Sequence, residues 1–426
     1  MEMIKMKYSF YFLRNSREIF VYLDKLPFKI ARCGTEAVLV SSPKRCPMKQ
    51  RATHAEVSLD AIVRNFDRVR ARTGKETEIM AVVKADAYGH GALPVARALV
   101  DAGAGWLGVA LPEEGVQLRR QGLQVPILVM GPTPPDQGPI LSEYHLDQVI
   151  YHTLHGRALA SSAEGSGARV RVHLKIDTGM GRLGIHPSEA PVAAKAIARL
   201  PTLEFGGVMT HFAAADAADK GHAREQLRWF LEAIREIEAA GVSVPLRHAA
   251  NSAAVLDLRE AHLDMVRPGI ALYGYPPPLS GARDGGWEHA LTFKTWIAQI
   301  KKVPKGDTVS YGCTYEAPRD ILVATLPVGY ADGYNRLLSN RGEVLIRGRR
   351  APVIGQVCMD MIMVDVTDLV GVREGEEAVL LGRQGDEMLL ADAWAVRLGT
   401  IPYEVLCNIS KRVPRSYLWH GKAIDS

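Results

Sequence analysis

Between about residues 52 and 290, short apolar runs alternate with helical stretches, and this alternation restricts the fold more than any other feature of the sequence. EIMAVVKA, WLGVALP, PILVMG, DQVIY, ARVRVHLKID, EFGGVMTHF, LRHAAN and LDMVRPG follow one another in order. Continuous apolar runs of this length read as strands buried on both faces. The segments between them carry a helical period. In residues 221–241 the apolar positions Leu227, Phe230, Leu231, Ile234 and Ile237 share one face. Ahead of the series, ATHAEVS reads as a strand. It leads into a helix with Leu59, Ile62, Val63, Phe66 and Val69 on one side and Ser58 as its N-cap. Eight buried strands separated by helices over roughly 230 residues predict a (β/α)8, TIM-like barrel.

After about residue 290 the period changes. LTFKTWIAQI, ILVATLPV, EVLIRG, VCMDMIMVDV and EEAVLLG follow one another with Gly, Pro and Asp turns and little helix, which predicts a second, β-rich domain. A chain of 426 residues is too long for one ordinary core. The expected division is 52–290 for the barrel and 291–426 for the β-rich domain, with residues 1–47 as an extension. The extension shows no sustained period. It reads as a disordered tail, a targeting segment or, the reading preferred here, sequence upstream of a true start at Met48.

Charge and cysteine content narrow the function. The net charge of +5 resides in residues 1–47, where nine Lys/Arg face four Asp/Glu; the remaining 43 of each sign cancel. The body of the protein therefore has no electrostatic footprint for nucleic acid. No apolar run reaches the 18 residues of a membrane span. Cys33, Cys46, Cys313, Cys358 and Cys407 are odd in number and not in CxxC spacing, which argues for a reducing compartment and against a disulfide framework or zinc site.

In a barrel, reactive groups belong at the C-terminal ends of strands. Lys84 ends the first apolar run there. Burial disfavours a lysine's charge and makes the amine a nucleophile able to form a Schiff base; the alternative is a lysine whose stem lies along the strand edge with its head in water. Two other patterns carry less. Residues 179–184 (GMGRLG) satisfy GxGxxG, but lack the ribose-binding context of a dinucleotide site. His152 and His155 lack a third ligand and read as part of a surface loop, so no metal is expected.

The segments AVVKADAYGHG around Lys84, HLKIDTGMGRLG (173–184), MTHF (209–212), RHAANSA (247–253), DMVRPGIALYG (264–274), VSYGCTYEA (309–317), GYADGY (329–334), VCMDM (357–361) and YEVLCNISKRVPR (403–415) resemble, in order, the motifs of alanine racemases. The resemblance covers about residues 50–418 and both halves of the chain. It implies a cytoplasmic, homodimeric enzyme that interconverts L-alanine and D-alanine with pyridoxal 5'-phosphate and supplies D-alanine for peptidoglycan.

It also implies roles. Lys84 would carry the cofactor and serve as base for the D-enantiomer. Tyr311, contributed across a dimer interface, would be the base for the L-enantiomer. Removal of a proton on one face of Cα and return on the other suits two bases. Tyrosine is a weak base at neutral pH, and Arg182, Arg267 and His211 are the candidates for the cationic neighbours such a base needs. Tyr88, Ser252, the backbone of Gly269 and Ile270, and Tyr403 would bind the cofactor phosphate; outside this motif Ser252 would read as a helix cap.

Arg267 would face the pyridine nitrogen, braced by His211 and His248. Arginine donates a hydrogen bond without handing over its proton, which would keep the ring a weaker electron sink and limit side reactions. Lys175 resembles a lysine that is N-carbamylated and positions Arg182; unmodified, it would form an ordinary surface pair. Tyr330, the backbone at Met359 and Asp360 would line the substrate corridor and hold the substrate carboxylate, with no nucleophilic role for Cys358. Two departures stand out: Gln356 replaces a common arginine on that corridor, which bears on substrate selectivity, and Lys411 replaces an aromatic.

Three rivals remain. A barrel-plus-β-domain amino-acid decarboxylase would share Lys84 but not need Tyr311. A broader racemase of small amino acids is kept open by Gln356. A pyridoxal-phosphate carrier protein would lack the β-rich domain altogether.

Overall fold

ATHAEVS forms a strand at His54–Ser58 and passes directly into the helix Leu59–Arg72. The Ser58 hydroxyl accepts a 3.1 Å bond from the Ala61 N–H, and Leu59, Ile62, Phe66 and Val69 are buried as the period requires. The computed structural model describes residues 28–33, 36–41, 51–277 and 286–424, and the chain divides into two compact units, Met1–Arg51 and Ala52–Ser426. In the first unit, Phe28–Cys33 pairs antiparallel with Glu36–Ser41, strands that the reading of residues 1–47 as an aperiodic extension did not anticipate. The rest of that expectation falls outside the described residues.

The eight apolar runs become the strands Glu78–Val82, Trp106–Val109, Ile127–Val129, Leu146–Ile150, Val170–Lys175, Leu203–Met209, Arg247–His248 and Met265–Val266. Adjacent strands pair parallel from the first to the seventh, and the eighth pairs with the first. Two backbone bonds bridge the seam between seven and eight: Asp264 N–H to Arg247 O, 3.2 Å, and Arg267 N–H to Ala250 O, 2.9 Å. Met80, Trp106, Leu128, Val149, Met209 and Met265, one from each of six strands, form a separate buried cluster. Helices between strands bury their apolar faces; Gly221–Ala239 buries Leu227, Phe230, Ile234 and Ile237.

The β-rich part forms one large, mainly antiparallel sheet. Strand His54–Ser58 belongs to it, lying between Leu291–Trp296 and Arg415–Trp419. Its side chains alternate between buried and half-buried, as suits a sheet with one covered face. Two expectations need correction. Within VCMDMIMVDV only Ile362–Asp365 is a strand, so VCMDM is a loop. Helices Ala391–Leu398 and Pro402–Cys407 follow the strands where little helix was expected.

Candidate active site

Lys84 stands just past the first barrel strand, on a backbone that turns the wrong way for L-residues. Ala85, Asp86, Ala87 and Tyr88 all have φ of 53–54°. A left-handed turn of non-glycine residues costs roughly 1–2 kcal/mol per residue, so its surroundings must hold it. The Ala85 N–H donates to Glu114 (2.7 Å), whose carboxylate also accepts from Ala110 and Leu111. Asp86 accepts from the Ala92 N–H at 2.7 Å. The Arg415 guanidinium donates to Gly89 O at 3.0 Å. At Gly89 (φ +82°) a Cβ would lie 2.5 Å from Leu406 O, so the helix Pro402–Cys407 packs directly on this turn. Tyr403 thereby comes beside Tyr88, with ring centroids 5.9 Å apart.

Around Lys84 the other strand ends converge. Arg267 is buried, and burial lowers its guanidinium to about 9, still cationic at neutral pH. It donates to Thr210 O (2.7 Å) and Ala249 O (3.0 Å), and lies 3.1 Å from His248 Nδ1 and 3.4 Å from His211 Nδ1. Both histidines sit well below their usual pKa, through burial first and the Arg267 charge second. The Ser252 hydroxyl accepts from the Gly269 N–H at 2.8 Å and Ala271 N–H at 3.4 Å. A Cβ at Gly269 would lie 2.5 Å from the Tyr88 hydroxyl. Tyr88, Ser252 and the Gly269–Ile270 backbone thus meet in one cradle of neutral hydroxyl and N–H groups.

Lys175 ends the fifth strand and is buried; burial first, then Arg182 and Arg267, lowers its amine to about 8. A surface pair is therefore excluded: among the described residues no carboxylate is its salt-bridge partner, and around it Arg182, Arg267 and Lys84 outweigh the nearby Asp177. Burial and then Arg182 also lower the Lys84 amine, while Glu114 acts in the opposite direction. Arg182 lies on a loop whose turn is held by Asp177, which accepts from the N–H groups of Gly179, Met180 and Gly181. The GMGRLG segment is this loop, not the turn that opens a dinucleotide-binding helix. His152 and His155 correct the surface-loop reading as well. His152 caps helix Thr153–Ser162, and buried His155 bonds Thr133 O at 2.8 Å.

Tyr311, Tyr330, Met359 and Asp360 form a second cluster, on the β-rich part. Tyr311 follows strand Thr308–Val309 and is 72% exposed. Its turn is pinned by Ser310, which donates to Gln356 O at 2.6 Å. The Tyr330 and Ala331 N–H groups donate to Cys358 O and Met359 O. Asp360 is committed to Arg412 (2.7 Å), which also reaches buried Asp332 at 3.0 Å. Gln356 donates to the Thr314 hydroxyl at 3.3 Å, and Lys411 is exposed. Among the described residues neither the Lys84 amine nor the Tyr311 hydroxyl makes a hydrogen bond.

Sequence reasoning missed Glu114, Arg412, His173 and Asp147. Glu114 carried a signal, a glutamate at the third position of a helix that begins with Pro112. Asp147 carried one too, as a carboxylate inside the fully buried strand LDQVI.

The alanine racemase N-terminal domain family matches residues 57–277, and the alanine racemase C-terminal domain family matches 290–417. The chain is 46% identical over 367 residues to an alanine racemase of Halothermothrix orenii, covering 86% of this chain and 97% of that one. With an alanine racemase of Symbiobacterium thermophilum the identity is 49% over 367 residues, again covering 86% and 97%. The crystal structure of alanine racemase from Bacillus anthracis with bound L-Ala-P is 38% identical, with a TM-score of 0.84 over 88% of this chain and 97% of that one. On fold, on both domains and on sequence, the chain belongs to the alanine racemase family of enzymes.

Proposed function

We propose that this chain interconverts L-alanine and D-alanine with pyridoxal 5'-phosphate, using Lys84 and Tyr311 as its two bases, in a homodimer whose active sites are each built from both chains. The observation that carries this reading is the division of the chemistry. A desolvated amine lies among Arg182, Lys175 and Arg267 at the barrel mouth, while Tyr311 stands exposed with Tyr330 and Met359 on a separate patch. A second copy laying that patch over the barrel mouth would complete the site and cover the exposed side chains. The barrel, 52–290, would then carry the cofactor, and 291–426 would bring Tyr311.

The residues present fit the cofactor. Tyr88, Ser252, Tyr403 and the backbone of Gly269 and Ile270 offer uncharged donors to a phosphate, and the close approach at Gly269 leaves no room for a side chain. Bound there, pyridoxal phosphate would supply the aldehyde that takes up the substrate amine and the ring that delocalises the electron pair left at Cα. The chain's own groups do the rest. Lys84 Nζ, biased toward its neutral form by burial, removes or returns the Cα proton on one face. Tyr311 Oη serves the other. Arg267 donates a hydrogen bond but keeps its proton, which favours proton return to Cα over side reactions.

The lowered Lys175 amine favours carbamylation: its lone pair forms the bond to CO2, and the displaced proton leaves to solvent. The product is an anion next to Arg182. Tyr330, Met359 and the Arg412-held Asp360 would line the substrate corridor. The free cysteines Cys313, Cys358 and Cys407 suit a reducing cytoplasm, where the product would feed peptidoglycan. Among the described residues no helix is long and apolar enough to cross a membrane.

The test is to incubate purified protein with L-alanine and measure D-alanine, beside Tyr311→Phe and a panel of L-serine and L-lysine. The variant is expected to lose about 100-fold or more of kcat while keeping bound cofactor. Racemisation of another amino acid in place of alanine would overturn the substrate, and full activity in the variant would overturn the two-base mechanism.

A further inference from the structure

Behind Arg267 a file of buried polar groups runs across the barrel interior, which packing otherwise fills with apolar side chains. His248 Nδ1 lies 3.1 Å from the Arg267 guanidinium, and its Nε2 lies 2.9 Å from His173 Nδ1. His173 Nε2 lies 3.4 Å from Asp147 Oδ2, beside the carboxylate charge but without hydrogen-bond geometry, and the same carboxylate oxygen accepts from Arg171 Nε at 2.6 Å. His173 and His248 are fully buried, and Asp147 is 5% exposed. The file connects strands four, five and seven and ends outside the cofactor cradle.

The direction of every proton in this file follows from its two ends. A guanidinium has no acceptor, so His248 Nδ1 must present a lone pair to Arg267. His248 sits well below its usual pKa, through burial and then Arg267, so it is neutral and carries its one proton on Nε2. That proton points at His173 Nδ1, which must therefore be the lone pair of the second ring. The His173 proton is then on Nε2, facing the carboxylate. The opposite arrangement would set a ring lone pair against Asp147 and two N–H groups, or two lone pairs, against each other between the rings. In a buried setting such a mismatch leaves polar atoms unsatisfied.

We propose that Asp147 and His173 are positioning residues for racemisation: the carboxylate at the far end of the file sets the tautomers of both histidines, and these hold Arg267 in one orientation toward the cofactor ring. Trp106 and Arg171 complete the lower end. Arg171 lies over the Trp106 ring, 4.7 Å from its centroid, and the indole meets His173 edge-on at 5.7 Å. Arg171 holds the Asp147 carboxylate from the side away from His248, Nε to Oδ2 at 2.6 Å. The inference rests on the reading of Arg267 as the group that faces the cofactor ring.

The deciding measurement is nitrogen NMR of the full-length protein labelled with 15N-histidine, resonances assigned by His173→Gln and His248→Gln. The wild type is expected to carry its proton on Nε2 in both rings. Asp147→Leu is expected to move His173 to a mixture of tautomers and to lower kcat about tenfold with little change in KM. Asp147→Glu should restore the single tautomer in part. A proton on Nδ1 of His248 or His173 in the wild type would overturn the proposal without any variant having to fold. Unchanged tautomers in Asp147→Leu would do the same. These readouts do not depend on racemisation, so a failure of the tautomer order and a failure of the alanine reaction are separately visible.

Discussion

Replacing Lys175 by methionine, in protein freed of CO2, is expected to stabilise the fold at neutral pH. Lys175 is 3% exposed, and among the described residues its amine makes no hydrogen bond or ion pair. Burial, with Arg182 and Arg267, lowers the amine from 10.5 to about 8. A difference of that size corresponds to about 3 kcal/mol held against the folded state while the amine is charged in both states. Methionine keeps the length and apolar contact of the stem and removes the charge. The sign follows from proton binding. Between about pH 8 and 10.5 the unfolded chain binds more protons than the folded one, so wild-type stability rises with pH through that window. Below it the full penalty is present.

The methionine variant should therefore gain about 3 kcal/mol at pH 7, and the gain should fade as the pH rises through that window. Urea unfolding at fixed protein concentration measures both. Intact mass would show that the wild type carries no carbamate. No gain at pH 7, or a gain undiminished at high pH, would refute the assignment of Lys175 as a buried, unpaired cation. At pH 8 half of the Lys175 amines are neutral, against about 1 in 250 for an ordinary lysine. Returned bicarbonate should accordingly stabilise the wild type and leave the variant unchanged.

Three further outcomes follow from the site. Gly269→Ala places a Cβ 2.5 Å from the Tyr88 hydroxyl and should weaken cofactor binding about 10- to 100-fold, read by titration of cofactor-free protein. Glu114→Gln removes the carboxylate that holds Ala85, Ala110 and Leu111; it should cost about 2 kcal/mol in urea unfolding and lower the titration of the Lys84 amine further, since Glu114 is the larger of the two charges, with Cys407, that oppose its lowering. Arg412→Met frees Asp360 and loosens the loops bearing Tyr330 and Met359, so KM for alanine should rise about fivefold with kcat little changed, a loss of about 1 kcal/mol.

Much of this protein was determined by its linear sequence. Strands and helices of the barrel are local in period, so the eight apolar runs located the eight strands. Because chemistry in such a barrel gathers where strands end, the first run pointed to Lys84, while Lys175, His211, His248 and Arg267 stood out through the resemblance of their motifs to those of alanine racemases. Pairing is different, because hydrogen bonds between distant strands leave no local period. Only the tertiary structure decided that His54–Ser58 joins the second sheet, and that the seam between strands seven and eight closes through Arg247, Ala250, Asp264 and Arg267. The left-handed turn at Ala85–Tyr88 was equally hidden. Four consecutive non-glycine residues adopt it where Glu114 takes the Ala85 N–H, the Asp86 side chain takes the Ala92 N–H and Arg415 bonds Gly89 O just beyond, so that groups from distant parts of the chain hold the turn. Burial was the last thing the sequence could not supply. Lys175 is lowered to about 8 because folding removes water from around it and brings Arg182 and Arg267 close, and His173 comes within 3.4 Å of Asp147 only once strands four and five pair.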